Sequence, residues 1–225
     1  KIEETQMIIS AGADTNSRDG SGWTPLFYAV ARSLPSNVDV VKTLIDGHAR
    51  VNITDSEGVT PLLLSVMQKT EDCAHQLLHA RADPNAFSSQ HGSPIFQCVM
   101  RGLTNTLRQI LAYGGFPDGR YTDEDGSTAL HIAARMNRLE CLEMILEANP
   151  GAGTKVDGKG NSPLHDAIYH KRTRVVMSLL RFQNNLLHRN KEGVTPLDLA
   201  ERMGHRTISQ LLRSSPLAYE LEEKH

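Results

Sequence analysis

A phrase that returns throughout the chain limits what it can fold into more than any other feature. Its clearest copy is Gly126-Ser127-Thr128-Ala129-Leu130-His131-Ile132-Ala133-Ala134. Relatives stand at Gly22-Trp23-Thr24-Pro25-Leu26-Phe27, Gly58-Val59-Thr60-Pro61-Leu62-Leu63, Ser93-Pro94-Ile95-Phe96, Gly160-Asn161-Ser162-Pro163-Leu164-His165 and Gly193-Val194-Thr195-Pro196-Leu197-Asp198. Between their Thr or Ser positions the spacings are 36, 33, 35, 34 and 33 residues. A second phrase follows at a near-fixed distance, as in Leu44-Ile45-Asp46-Gly47-His48-Ala49-Arg50-Val51-Asn52 and Leu77-Leu78-His79-Ala80-Arg81-Ala82-Asp83-Pro84-Asn85. Units of this size cannot bury an apolar face alone, so the chain must stack them.

Each unit reads as two short helices. Thr24-Pro25 opens the first: the hydroxyl accepts from orphan N–H groups, and Pro fits a turn where its missing donor is harmless. Val38 to Ile45 forms the return helix, and Ser33-Leu34-Pro35-Ser36-Asn37 lengthens the turn between them, which accounts for the longest spacing. In the fourth unit Gln90-His91-Gly92-Ser93-Pro94 shifts the glycine, and Ala112 to Pro117 replaces the usual ending, so a distorted finger or a slight break is expected there. In the last unit Glu201 stands where Ala134 and Ile168 stood, as a water-facing terminal repeat requires.

On these phrases the chain resembles the ankyrin-repeat family over almost its whole length. The resemblance implies an all-α ankyrin-repeat solenoid of helix-turn-helix-β-hairpin repeats of about 33 residues. Approximate repeats are 1–18 (a half repeat), 19–54, 55–87, 88–122, 123–156, 157–189 and 190–214, making a domain of 1–214 and a C-terminal tail of 215–225. A chain that starts mid-repeat is expected to be part of a longer protein. The resemblance also implies that His131 and His165 bond locally and tie adjacent repeats, a role that Phe27, Leu63, Phe96 and Asp198 must fill otherwise. Asn52 and Asn85 resemble sites of asparaginyl hydroxylation, with Leu44 and Leu77 eight positions earlier.

Composition excludes several classes. No run of about 18 apolar residues could span a membrane, and no segment reads as a signal peptide. Three cysteines, Cys73, Cys98 and Cys141, without CxxC spacing argue against a disulfide framework or zinc ribbon and for a reducing home, cytoplasmic or nuclear. Cys73, His75 and His79 have the spacing of a metal half-site, but further ligands do not converge, so a solvated helix face is the favoured reading and no metal is expected. Gly153 to Gly160 nearly matches a phosphate-binding loop, yet Gly160 replaces the final hydroxyl and no strand precedes it. No catalytic arrangement has context, so neither an enzyme nor a cofactor is expected.

Charge is uneven along the chain. Residues 1–154 carry 12 Lys/Arg and 18 Asp/Glu, a balance of −6, whereas residues 155–213 carry 11 and 5, a balance of +6. The basic stretch, with Lys171, Arg172, Arg174 and Arg181, raises a nucleic-acid-associated regulator as an alternative, a structural spacer being another.

The leading reading is a protein-protein interaction module, the targeting or scaffold part of a larger protein and a monomeric array. The resemblance implies a concave face built from finger tips and first helices. The partner-binding residues are then Trp23, Arg32, Glu57, Met67, Gln68, Met100, Arg101, Glu124, Asp125, Arg135, Met136, Tyr169, His170 and Arg202. Methionine adapts its shape, and Arg and Tyr are common at hot spots. A groove from Met67 to Tyr169 is expected, overhung by Asp123-Glu124-Asp125, with apolar anchors beside the methionines and partner carboxylates or backbone carbonyls near Arg101 and Arg135.

Overall fold

The computed structural model describes residues 2–31, 37–117, 125–182 and 186–215. Arg32, Glu124, most of the Ser33–Asn37 insertion and nearly all of the tail lie outside them. The chain forms two compact units, Lys1–Phe116 and Pro117–His225, the division falling within the irregular ending of the fourth repeat.

The first unit holds α1 (Ile2–Ser10), α2 (Pro25–Ala31), α3 (Asn37–Asp46), α4 (Pro61–Gln68), α5 (Glu71–His79), α6 (Pro94–Arg101) and α7 (Thr104–Ala112). The second holds α8 (Ala129–Arg135), α9 (Leu139–Ala148), a 3₁₀ turn (Pro150–Thr154), α10 (Pro163–Tyr169), α11 (Thr173–Arg181), α12 (Pro196–Arg202) and α13 (Arg206–Arg213). Among the described residues there is no strand, and an isolated bridge pairs Ser88 with Gly92.

The six copies of the phrase become the six first-helix starts. Thr60 and Ser93 lie in extended backbone, and their hydroxyls accept from the N–H groups of Leu63 and Phe96, both at 3.2 Å. At α12 the cap is reciprocal: Asp198 N–H donates to the Thr195 hydroxyl at 3.1 Å, and Thr195 N–H donates to the Asp198 carboxylate at 3.0 Å. Asp198 thus does by charge what a histidine does in the two preceding units.

First helices pack on first helices (α2 on α4, α4 on α6; α8 on α10, α10 on α12) and second on second (α1, α3, α5, α7; α9, α11, α13). Helices of seven to ten residues are too short to persist alone. What holds them is the seam between layers, where Leu62, Leu63, Leu77 and Leu78 are fully buried, each contributing about 1.5–3 kcal/mol.

Polar clamps join successive repeats. His131 Nδ1 accepts from Thr128 N–H at 3.2 Å, so Nε2 carries the proton and donates to Asn161 O at 2.9 Å, one repeat on. His165 repeats this with Ser162 N–H at 3.3 Å and Val194 O at 3.0 Å. In the first unit asparagine amides do similar work. Asn16, Asn52 and Asn85 each donate to a carbonyl of the next repeat (His48, Arg81, Gly114) and accept from an N–H two residues further (Arg50, Asp83, Phe116).

The fingers are built on a carboxylate or amide five residues before the motif Thr or Ser. Asp19, Asp55, Asp157 and Asn190 each accept two backbone N–H groups of their own tip at 2.8–3.0 Å. Ser88 holds that place in the fourth finger, and its hydroxyl instead donates across to Glu57 O at 2.8 Å. That is the physical content of the irregular finger. Elsewhere neighbouring fingers are also linked through their backbones, by Ser56 N–H to Ser21 O, Gly158 N–H to Asp125 O and Lys191 N–H to Lys159 O, at 2.7–3.2 Å.

The histidine clamp carries a pH dependence. Burial lowers the His165 pKa, opposed by its bond to Val194 O. Protonation would also place a hydrogen on Nδ1 against Ser162 N–H. The unfolded chain, titrating near 6.5, takes up the proton first. Stability from this group is therefore whole above about pH 6.5 and falls as pH drops below it, by no more than about 1.4 kcal/mol per pH unit. Urea titrations at pH 7.5 and 5.5 should show the loss, and a His165→Asn variant should lose less between the two values than the parent. An unchanged difference would remove His165 as its cause.

Candidate functional site

Finger tips and first helices present side chains on one face of each unit. In the first unit Trp23 is half-buried, stacks on Phe27 with centroids 5.7 Å apart, and donates from Nε1 to Asp55 of the next finger at 3.1 Å. Glu57 is exposed and meets His91 Nε2 at 3.1 Å. Met67 is half-buried and Gln68 exposed, while Met100 is 37% exposed. Arg101 donates from Nε to Met67 O at 3.0 Å and bonds the Gln97 side chain.

In the second unit the fingers around Asp125, Asp157–Asn161 and Asn190–Glu192 enclose, with α8, α10 and α12, a cleft of about 390 Å³. Its walls include Asp125, Arg135, Asp157, Lys159, Asn161, Asp166, Tyr169, His170, Asn190 and Glu192. Four residues expected from the sequence thus meet in one cavity: Asp125, Arg135, Tyr169 and His170. Met136 and Arg202 are exposed on the same helix ends but do not line it.

Arg135 organises the floor. Its Nε donates to Asp166 at 2.8 Å, and its terminal nitrogen donates to the Ser127 hydroxyl at 2.7 Å and lies 3.5 Å from Asp157. Asp157 and Asp166 side chains are only 3% and 10% exposed, so one guanidinium serves two carboxylates largely removed from water. The network continues through Asn161, which donates to Asp157 at 3.4 Å and accepts from Asn190 at 2.9 Å. The sequence reading puts partner carboxylates or backbone carbonyls on Arg135 and Arg101. Here both guanidinium groups also bond their own chain.

Asp157 and Asp166 were absent from the sequence-based site. Asp166 had a signal: it falls where the other first helices carry Tyr28, Leu64, Gln97, Ile132 and Leu199. A carboxylate in that register asks for a buried partner.

The remaining motifs have structural explanations. The N–H groups that a phosphate loop would need are taken: Gly158 by Asp125 O, Gly160 by Asp157 O, and Lys159 and Asn161 by the Asp157 side chain. His75 and His79 lie edge to face at 4.5 Å, and no group of three potential ligands is placed to hold a metal among the described residues. Burial raises the thiol pKa of Cys73 and Cys141, which keeps them protonated. Several cations of the basic stretch bond their own chain: Arg172 donates to Arg135 O, Lys191 to Gly158 O, and Arg213 to Glu201, at 2.6–3.1 Å. No described helix is long and apolar enough to cross a membrane.

A family model described as ankyrin repeats (3 copies) matches residues 2–88 and 87–157. Inversin from Mus musculus is 26% identical over 215 residues, covering 93% of this chain and 20% of its own length. Transient receptor potential cation channel subfamily A member 1 from Homo sapiens is 30% identical over 213 residues, covering 93% and 16%. Ankyrin repeat and SOCS box protein 16, also from Homo sapiens, is 30% identical over 203 residues, covering 86% and 43%. The chain thus spans less than half the length of each of these relatives. Among solved structures, the human ASB11 ankyrin repeat domain superposes with a TM-score of 0.74 at 26% identity, covering 94% of this chain and 91% of that one. An ankyrin repeat domain from Acinetobacter baumannii AYE gives 0.77 at 28% identity, covering 85% and 97%.

Proposed function

The chain belongs to the ankyrin-repeat family, and from that premise we propose that it is a recognition module that binds a segment of a partner protein on its finger-and-first-helix face. Proteins of this family generally mediate protein-protein interaction, and their repeat domains are typically not enzymes. The observation that carries the placement is the cleft of the second unit, where finger and first-helix residues from successive repeats converge on a cavity of peptide-binding scale. In the first unit Met67 and Met100 supply adaptable apolar contacts for the same purpose. A targeting or scaffold role in a longer protein follows from that module, which has no catalytic part of its own.

The test uses Met100→Ala with Tyr169→Ala, both exposed side chains whose loss should change stability by no more than about 0.5 kcal/mol. Affinity capture with the parent chain is expected to retain a protein that the double variant releases. Identical captures from parent and variant would move recognition off this face.

A further inference from the structure

We infer that the cleft of the second unit takes a basic peptide segment, with an arginine or lysine side chain against the Tyr169 ring and in the field of Asp125 and Glu192. This rests on the recognition reading above and gives it a chemical class.

Four carboxylates line the cleft (Asp125, Asp157, Asp166, Glu192) against two fixed cations, Arg135 and Lys159. Arg135 is consumed by Asp157 and Asp166, which leaves its pocket floor carrying excess negative charge. Burial, with Arg172 and Arg135 nearby, lowers the His170 pKa, so that ring adds no charge at neutral pH. The cavity is therefore anionic within a stretch whose formal balance is basic, so its field is local. An acidic peptide would meet Asp125 and Glu192 at the rim and find Arg135 already paired. A basic one gains both carboxylates.

Tyr169 is 59% exposed, far more than a ring of its size needs for packing, and it borders the cavity with His170 edge-on at 5.2 Å. An exposed aromatic face beside carboxylates suits a guanidinium or ammonium group, which is attracted to the ring and to the acids together. The Asp125 carbonyl accepts from Gly158 N–H, and Glu192 N–H donates to the Asn190 side chain. The main chain at both carboxylates is thus tied, which reduces the ordering needed on binding.

The probe is a phage-displayed random dodecapeptide library panned on the immobilised full chain. Asp125→Asn with Glu192→Gln, both at exposed tips, is the comparison, and Tyr169→Ala is a second. Enriched sequences are expected to share Arg or Lys. A synthesised winner should bind about tenfold more weakly to the double-acid variant, and more weakly again as salt is raised. Enrichment of acidic or purely apolar sequences, or equal affinity for the double-acid variant, overturns the inference while leaving the recognition reading standing. If the parent enriches nothing that the Met100→Ala, Tyr169→Ala chain does not also bind, both fall.

Discussion

Arg135→Ala is expected to cost the second unit about 2–4 kcal/mol, enough to shift its urea midpoint well below that of the parent. The reason is what the substitution leaves behind. Asp166 would lose a 2.8 Å charge-assisted bond and Asp157 its nearest cation, while both stay largely shielded from water. An unpaired buried charge is far costlier than a lost surface ion pair, which the 26% exposure of Arg135 tempers but does not remove. Adding Asp166→Asn should recover part of the loss, with a coupling of about 1–3 kcal/mol in the double-mutant cycle. Additive single effects would mean that the pair is not the source. A practical consequence follows: Arg135 is unsuitable as a probe of partner binding, because weakened capture by its variant would report a damaged unit.

Gly160→Ala should cost about 2–4 kcal/mol, whereas Gly193→Ala, at the same place in the next repeat, should cost only about 1–2 kcal/mol. Both glycines have left-handed backbone, with φ of +76° and +74°, so the conformational cost of a Cβ is shared. The difference lies in the neighbours. A Cβ on Gly160 would stand 2.9 Å from Lys191 N, the group that donates to Lys159 O, while one on Gly193 meets nothing within 4 Å. Relief at Gly160 requires the two fingers to part, taking with them the bond from His188 Nε2 to Gly160 O at 2.8 Å. Thermal or urea unfolding of the two variants side by side is the check, and equal losses would show that finger contact adds nothing.

The architecture was legible because its signals are local and repeated. A hydroxyl, then Pro or Ala, then Leu or Ile, starts a helix for reasons contained within four residues, and six copies spaced 33–36 residues apart leave little choice of stacking. The direction of Arg135 was not legible in the same way, since a guanidinium looks identical whether it faces a partner or an acid 31 residues on. The finger aspartates escaped notice for the opposite reason. Asp19, Asp55 and Asp157 recur at a fixed offset from the motif, but an acidic residue in a polar loop reads as solvent-facing until its two N–H partners are seen. Trp23 shows both halves: its prominence at a tip was plain, while its bond to Asp55 on the following finger needed coordinates.

The finger ladder bears on how such a surface changes over generations. Ser21 and Ser56, Asp125 and Gly158, and Lys159 and Lys191 are each joined by a main-chain N–H to C=O bond. Apart from Gly158, where a Cβ would stand 2.7 Å from Asp125 O, any amino acid with tolerable backbone geometry can supply those atoms. Inheritance can therefore rewrite the tip side chains, and with them the identity of what is recognised, while the linkage that keeps the tips in line passes unaltered from one variant to the next.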